Sequence, residues 1–366
     1  MRRAMLAQHA PTSGRSARGA ERAAFEFMIL AMSSRREVLK GLAGLPLAAA
    51  ASAPDGADFV FEQAPFASCH ASTLVEAENG RLLCAWFGGT RERAPDVTIW
   101  MAWRSAGRWS PPRQVAEEPG VPCWNPVLWR ERDGGVVLFY KAGPSPETWS
   151  GFLKRSRDGG VTWSEAELLP AGILGPIKNK PIAGRSGEIV AGTSVESYRA
   201  WTSWAEISPD GGRSWSRHGP IVVPGEPHGN IQPSIWRCTD GRLRMVLRTT
   251  ERVGRICLAE STDDGRTWSP ARRTALPNPN AGIDAVKMAD HRLALVYNHS
   301  ETGRSPLNLA VSNDDGETWQ MRRVLEDEPG EYSYPAVIQT DDGDLHVSYT
   351  WRRQRIKHVR LRPDEI

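Results

Sequence analysis

The chain has 366 residues, 40% hydrophobic and 24% charged, and its 46 basic and 43 acidic side chains leave a net charge of +3. That is the composition of a soluble globular protein large enough to bury a substantial core. So even a balance excludes the basic footprint of a nucleic-acid binder and gives no reason to expect a membrane surface as a partner.

The first pattern along the chain is near the N-terminus. Ser34-Arg35-Arg36-Glu37-Val38-Leu39-Lys40 precedes an apolar run over 41–53, and Ala51-Ser52-Ala53 offers small residues for cleavage. Paired arginines ahead of such a run read as a twin-arginine export signal, and the run is too short to span a bilayer. Residues before Met32 are rich in Arg and Ala and carry no strand pattern. Residues 1–54 are therefore assigned to an extension and export signal, and 55–366 to the folded unit. A periplasmic or secreted protein is expected.

The folded part is repetitive. Ser156-Arg-Asp-Gly-Gly-Val-Thr-Trp163 returns as Ser208-Pro-Asp-Gly-Gly-Arg-Ser-Trp215, Ser261-Thr-Asp-Asp-Gly-Arg-Thr-Trp268 and Ser312-Asn-Asp-Asp-Gly-Glu-Thr-Trp319, with starts 52, 53 and 51 residues apart. A weak fifth copy, Ser105-Ala-Gly-Arg-Trp109, sits 51 residues before the first. A fixed period of this size marks an array of one supersecondary unit. Within each phrase Asp bonds its own backbone, Gly supplies φ > 0 and Trp packs back over the hairpin. A second set of turns falls between these, at Asn79-Gly80, Asp133-Gly134, Ser186-Gly187, Asp240-Gly241, Asp290-His291 and Asp342-Gly343. Each is followed by a strand, over 82–87, 136–140, 189–193, 243–247, 293–297 and 345–349. Six hairpins and five box turns make six blades of about four strands, an all-β six-bladed β-propeller. The last blade lacks a box, and a strand over 59–62 is expected to complete it and close the ring. Helices should be nearly absent.

Topology then sorts residues by face. Both kinds of turn lie at one rim. The starts of the first strands and the ends of the second strands lie at the other, where polar insertions gather and a ligand site is expected. The starts carry His70, Trp124-Asn125, Lys178-Asn179-Lys180, residues 228–232 with Gln232, residues 278–284 with Asp284, and residues 331–334. The ends carry residues 91–96, Lys141, Glu196, Arg248, Asn298-His299 and residues 351–353. Every blade contributes ionisable or amide groups to one ring. The five cysteines show neither C-x-x-C nor metal spacing, and Cys69 and His70, adjacent in a strand, point to opposite faces. No metal site and no cofactor are expected.

The Ser-x-Asp-x-Gly-x-Thr-Trp phrase is the Asp-box, and over about residues 66–355 the chain resembles the sialidases (neuraminidases). In that family the boxes lie away from the active site. Three arginines bind the sugar carboxylate, a Tyr activated by a Glu attacks the anomeric carbon, and an Asp is acid and base. The resemblance places Arg248, at the end of Leu243-Arg-Met-Val-Leu-Arg248, as the second arginine. Arg304, opening Arg304-Ser-Pro-Leu-Asn-Leu-Ala-Val-Ser312, stands as the third. Tyr332, in Glu331-Tyr332-Ser333-Tyr334, is the implied nucleophile, with Tyr334 as the alternative group facing the channel. Asp96 is the implied acid, with Arg91 beside it. Two positions depart. His70 stands where the first arginine should be, and Gly229-Asn230-Ile231-Gln232-Pro233 has no carboxylate where the activating Glu should be. A phenol needs a base to attack at neutral pH, and Glu196 and Glu331 are the candidates to supply one.

The leading expectation is an exo-acting glycoside hydrolase releasing a terminal acidic sugar from an acidic glycan, with Tyr332, Asp96 and His70 catalytic. Arg91, Arg248, Arg304, Lys180, Gln232 and Asp284 would bind the substrate. Two alternatives stay open: a uronate lyase or atypical glycosidase with His70, Tyr332 or Tyr334 as base, and a non-catalytic carbohydrate-binding propeller. A monomer is expected.

Overall fold

The computed structural model describes residues 56–366, so the paired arginines Arg35 and Arg36 and the apolar run 41–53 lie outside the described residues. No described helix is long and apolar enough to cross a membrane. Apart from three single-turn helices the ordered elements are strands, arranged as six antiparallel sheets around a ring. Blade 1 is Ser68–Glu76, Leu82–Gly89, Thr98–Ser105 and Arg108–Trp109, with Arg113–Ala116 also pairing the third strand. Blade 2 is Cys123–Arg130, Val136–Ala142, Ser150–Ser156 and Glu167–Leu168. Blade 3 is Ile182–Ala183, Ile189–Glu196, Trp201–Ser208 and Ser216–Ile221. Blades 4 and 5 run from Asn230–Arg237 to Arg272–Pro277 and from Asp284–Lys287 to Gln320–Glu326.

Blade 6 takes Tyr332–Gln339, Leu345–Trp351 and Arg355–Leu361, and its outer strand comes from the other end of the fold, Ala57–Phe59. Ala57 pairs with Val359 and Phe59 with Lys357. The closing strand therefore begins before the expected 59–62. It stops at Phe59 because Phe61 turns inward instead and stacks on Trp86 at 4.9 Å. The Val60 N–H still reaches the Ile356 carbonyl at 2.9 Å, and beyond it burying two large rings outweighs further pairing at an exposed edge.

The box turns are local devices. In the first, the Ser156 hydroxyl donates to Asp158 Oδ1 at 2.7 Å and accepts from the Gly160 N–H at 2.8 Å. Asp158 in turn accepts from the N–H and the hydroxyl of Thr162. The same set recurs around Asp210, Asp263 and Asp314. Gly160 has φ +84°, and a Cβ there would meet Leu83 of blade 1 at 2.7 Å, so the turn also seats one blade against its neighbour. The weak fifth copy, without its Asp, is a plain tight turn at Ala106-Gly107.

The first strands of four blades are bulged at the mouth. Register shifts fall between His70 and Thr73, Trp124 and Val127, Ile231 and Ser234, and Ser333 and Ala336. At each bulge one residue takes a left-handed conformation: Ala71 (φ 58°), Asn125 (38°), Gln232 (54°) and Tyr334 (52°). In the last three a proline follows. A bulge re-aims side chains and breaks strand alternation, and this decides which groups face the channel.

Candidate active site

Tyr332 and Tyr334 are two apart in one strand, so alternation alone would give them one face. The bulge separates them. Tyr332, 1% exposed, packs among Met288, Leu307, Leu325 and Tyr349 between blades 5 and 6, and its hydroxyl accepts from Arg352 at 3.2 Å. It lies in the inter-blade core, and not in the ring of polar groups where the attacking group was expected. Tyr334 occupies the middle of that ring.

Four blades converge on the Tyr334 side chain. Its hydroxyl oxygen accepts from Arg248 Nη1 at 2.6 Å and from Gln232 Nε2 at 3.2 Å. The guanidinium carbons of Arg248 and Arg304 lie 5.4 and 5.7 Å from its ring centre, and the Lys178 ammonium 5.9 Å. His70 of blade 1 packs against it with ring centres 4.1 Å apart. The orientation of the Gln232 amide follows from chemistry. Arg248 has only donors to offer, so the Gln232 oxygen must face it, and Nη1 donates there at 3.0 Å. The amide nitrogen is then committed to Tyr334. Gln232 is thus a donor to the phenol and has no means of taking its proton, which is left to point into the channel.

A third guanidinium reaches the site from a strand end of blade 6. Arg353 donates through Nε to Glu331 at 2.7 Å and through Nη1 to Glu92, and Arg304 donates to the same Glu331 oxygen at 2.8 Å. Burial would raise the Glu331 carboxyl, but Arg353 and Arg304 outweigh it and hold it below its ordinary range, as a carboxylate. Arg248 Nη2, Arg304 Nε and Nη2, and Arg353 Nη2 have no partner among the described residues. Arg248 and Arg304 beside the phenol, and Arg353 joined to Arg304 through Glu331, therefore keep free donor edges, a ready clamp for a carboxylate.

His70 is buried, and burial followed by the charges of Arg353, Arg304, Arg248 and Lys178 holds its imidazole well below the usual range, so it is neutral at pH 7. Its Nδ1 lies 3.0 Å from the Thr350 hydroxyl, which also accepts the Ala71 N–H. Lys178 gives its three protons to Asn179 Oδ1 and to the carbonyls of Ile283 and Pro335. Burial brings its pKa down to about 7, and three acceptors match an ammonium. Glu196, at the end of the second strand of blade 3, makes no hydrogen bond to the described residues. It is half-buried by surface but lies deep in a concave mouth, and burial, opposed by Arg248, pushes it up to about 7.

The remaining expected residues sit elsewhere. Lys180 and Asp284 pair with each other at 2.8 Å. Asp284 also accepts from the Ser234 hydroxyl and from the Val337 N–H, so the pair braces blades 3 to 6. Asp96 is exposed and tied to the hydroxyl and N–H of Thr90, and the Thr90 hydroxyl is the main cause holding its carboxyl below the ordinary range. It lines a groove with Phe66 and Trp100, and Arg91 beside it is exposed without an ion pair among the described residues. All five cysteines are free and buried, and Cys69 faces the Trp86 core, away from the ring. Among the described residues no cluster of metal-ligating side chains occurs.

Arg353, Glu331 and Tyr334 thus carry more of the site than Asp96 or Tyr332. The signal available for Arg353 was its place at the last blade's second-strand end.

The BNR repeat-like domain family matches residues 80–347. The chain belongs to this family, within the sialidase superfamily. A sialidase of Micromonospora viridifaciens is 30% identical over 179 residues, which is 46% of this chain and 26% of that protein. A sialidase of Bacteroides fragilis is 26% identical over 165 residues, 42% of this chain and 29% of its own length. The chain therefore spans between a quarter and a third of the curated relatives it matches. Among solved structures, NanB sialidase of Streptococcus pneumoniae superposes with a TM-score of 0.71 at 14% identity, covering 84% of this chain and 71% of that one. The Hadza microbial sialidase Hz136 gives 0.69 at 20% identity, with 82% and 66% coverage. A Dyadobacter fermentans protein of unknown function gives 0.70 at 20% identity, covering 84% of this chain and 98% of its own. These likenesses establish the six-bladed propeller shared with this BNR-repeat chain.

Proposed function

We propose that this BNR-repeat protein is an exo-acting glycosidase that releases a terminal acidic sugar, sialic acid or a relative. Arg248, Arg304 and Arg353 hold the sugar carboxylate, and Tyr334 faces the anomeric carbon. The observation that carries the reading is the Tyr334 hydroxyl, held by Arg248 and Gln232 inside a ring of cations. Ion pairing to the free guanidinium edges fixes the sugar, and a phenol oxygen beneath C1 meets the positive charge that develops as the glycosidic bond breaks. The test is a panel of sialosides and uronate-capped glycans with products identified by mass. A released acidic monosaccharide supports the reading, and intact substrate throughout the panel refutes it.

His70 supports a second reading. Neutral, and set against Tyr334 among four cations, it has the character of a base in a uronate lyase. A lyase product carries a new double bond that absorbs in the ultraviolet, and a hydrolase product does not. We also propose that the protein acts outside the cytoplasm. Replacing Arg35 and Arg36 by Lys should then leave it in the cytoplasm, and normal export of that variant would end the assignment.

A further inference from the structure

We infer that the leaving-group side of this site lies over blade 3, where Glu196 hands a proton to the glycosidic oxygen and Tyr198 stacks the next sugar. The inference rests on the glycosidase reading and adds the direction in which the substrate extends.

Two independent features of one loop carry it. The first is Glu196, a carboxyl at the mouth with no hydrogen-bond partner among the described residues. Its charged neighbours come from other blades: Arg248 of blade 4, which also holds Tyr334, and Glu147 of the blade 2 loop, whose like charge favours a retained proton. Three other carboxylates of the site and its rim are already engaged. Glu331 and Glu92 are tied to arginines, and Asp96 is tied to Thr90. A general acid must arrive protonated, and Glu196 is the carboxyl whose surroundings provide for that.

The second feature is Tyr198, two residues on and 86% exposed. The other exposed large apolar side chains, Val161, Leu168, Met321 and Val324, lie on box turns and outer strands, so this is the one exposed aromatic at the mouth among them. Its loop is braced. The Ser197 hydroxyl accepts from the Ala200 N–H at 3.0 Å, the Ser197 N–H donates to the Ala200 carbonyl at 2.9 Å, and Trp201 is tied back to Pro227. A fixed turn that holds an aromatic ring into solvent next to an acid is a platform for the flat face of a sugar.

The step balances simply. The Glu196 proton moves to the glycosidic oxygen as its bond to C1 breaks, and the electron pair of that bond stays on the oxygen, which leaves as an alcohol. C1 meanwhile bonds to the Tyr334 oxygen, whose proton passes to water in the channel. The Glu196 carboxylate then takes a proton from a second water, whose oxygen bonds to C1 as the Tyr334–C1 bond breaks and its electron pair returns to the phenol oxygen, which regains a proton from the channel. The overall change is hydrolysis.

The test compares an oligosaccharide ending in the acidic sugar with the 4-methylumbelliferyl glycoside of that sugar, whose leaving group departs without a proton and carries no second sugar. Glu196→Gln should lose about 100-fold more kcat on the oligosaccharide than on the aryl glycoside, and its pH profile should lose the limb near neutrality. Tyr198→Ala should lower kcat/KM on the oligosaccharide about tenfold more than on the aryl glycoside, with Tyr198→Trp restoring it. Equal losses on the two substrates would overturn the inference while leaving the glycosidase reading intact. A wild type that releases nothing from either substrate would overturn both. Melting curves taken alongside separate loss of function from loss of fold.

Discussion

A half-buried carboxyl that keeps its proton to neutrality destabilises the fold once that proton leaves, so Glu196→Gln should make the protein more stable at pH 8. Glu196 is moved from 4.5 to about 7. Between these values the folded state holds a proton that the unfolded chain has lost, so wild-type stability falls as pH rises through the window and stays low above it. At about 1.4 kcal/mol for each tenfold change the ceiling is about 3 kcal/mol. Water reaching the half-buried side chain reduces this, and about 1–2 kcal/mol should remain. For a domain of this size that corresponds to about 2–5 °C in Tm. The variant and the wild type should melt together at pH 4 and separate at pH 8, with the variant higher. Other groups that titrate near 7 are common to both proteins and cancel. Parallel behaviour at both pH values would refute the placement of a protonated carboxyl at the mouth. A more stable, less active variant is the trade-off expected when strain is stored in a site.

Arg304→Lys, which gives up planar two-point contact, should weaken acidic-sugar binding by about 1–3 kcal/mol in calorimetric titration and leave a carboxyl-reduced analogue unaffected. Gln232→Glu puts an acceptor beside the Tyr334 hydroxyl and within reach of Arg248. Turnover of an aryl sialoside should rise, read as kcat at pH 6, because the phenol gains a group able to take its proton. Lys141, fully buried with one carbonyl partner, is brought down by burial from 10.5 to about 7. Its charge costs stability at and below pH 7, and the cost fades between pH 7 and 10.5 as the folded state alone loses the proton. Lys141→Met should therefore raise the denaturation midpoint at pH 6.5, and the gain should shrink by pH 9.5.

Much of the scaffold could be read in advance because its determinants are local. Each box turn is closed by bonds that span two to four positions among its Ser, Asp, Gly and Thr or second Ser, so a short phrase announces it. The ring of polar groups was legible for the same reason, since turn positions fix which strand ends share a face. What escaped was set at long range. The position of Tyr334 depends on a left-handed residue at a bulge, a conformation that no glycine or asparagine signals there. Lys180 and Asp284 are 104 residues apart, and nothing in either segment tells a braced pair from two groups facing a ligand. Arg353 is swung to the mouth by two successive arginines at positive φ, 52° and 60°, where a chain of ordinary residues would run on. Asp96 lies in the expected loop, but its Oδ2 is taken up by the N–H and hydroxyl of Thr90.

The central claim is that Tyr334, and not Tyr332, meets the anomeric carbon. It is tested most directly by incubating the wild type with a fluorinated acidic sugar and locating the label by fragment mass spectrometry of the peptide that carries both tyrosines. The account predicts a covalent adduct on Tyr334, absent from Tyr334→Phe and retained in Tyr332→Phe. An adduct on Tyr332, or full turnover of an acidic glycoside by Tyr334→Phe, would contradict it.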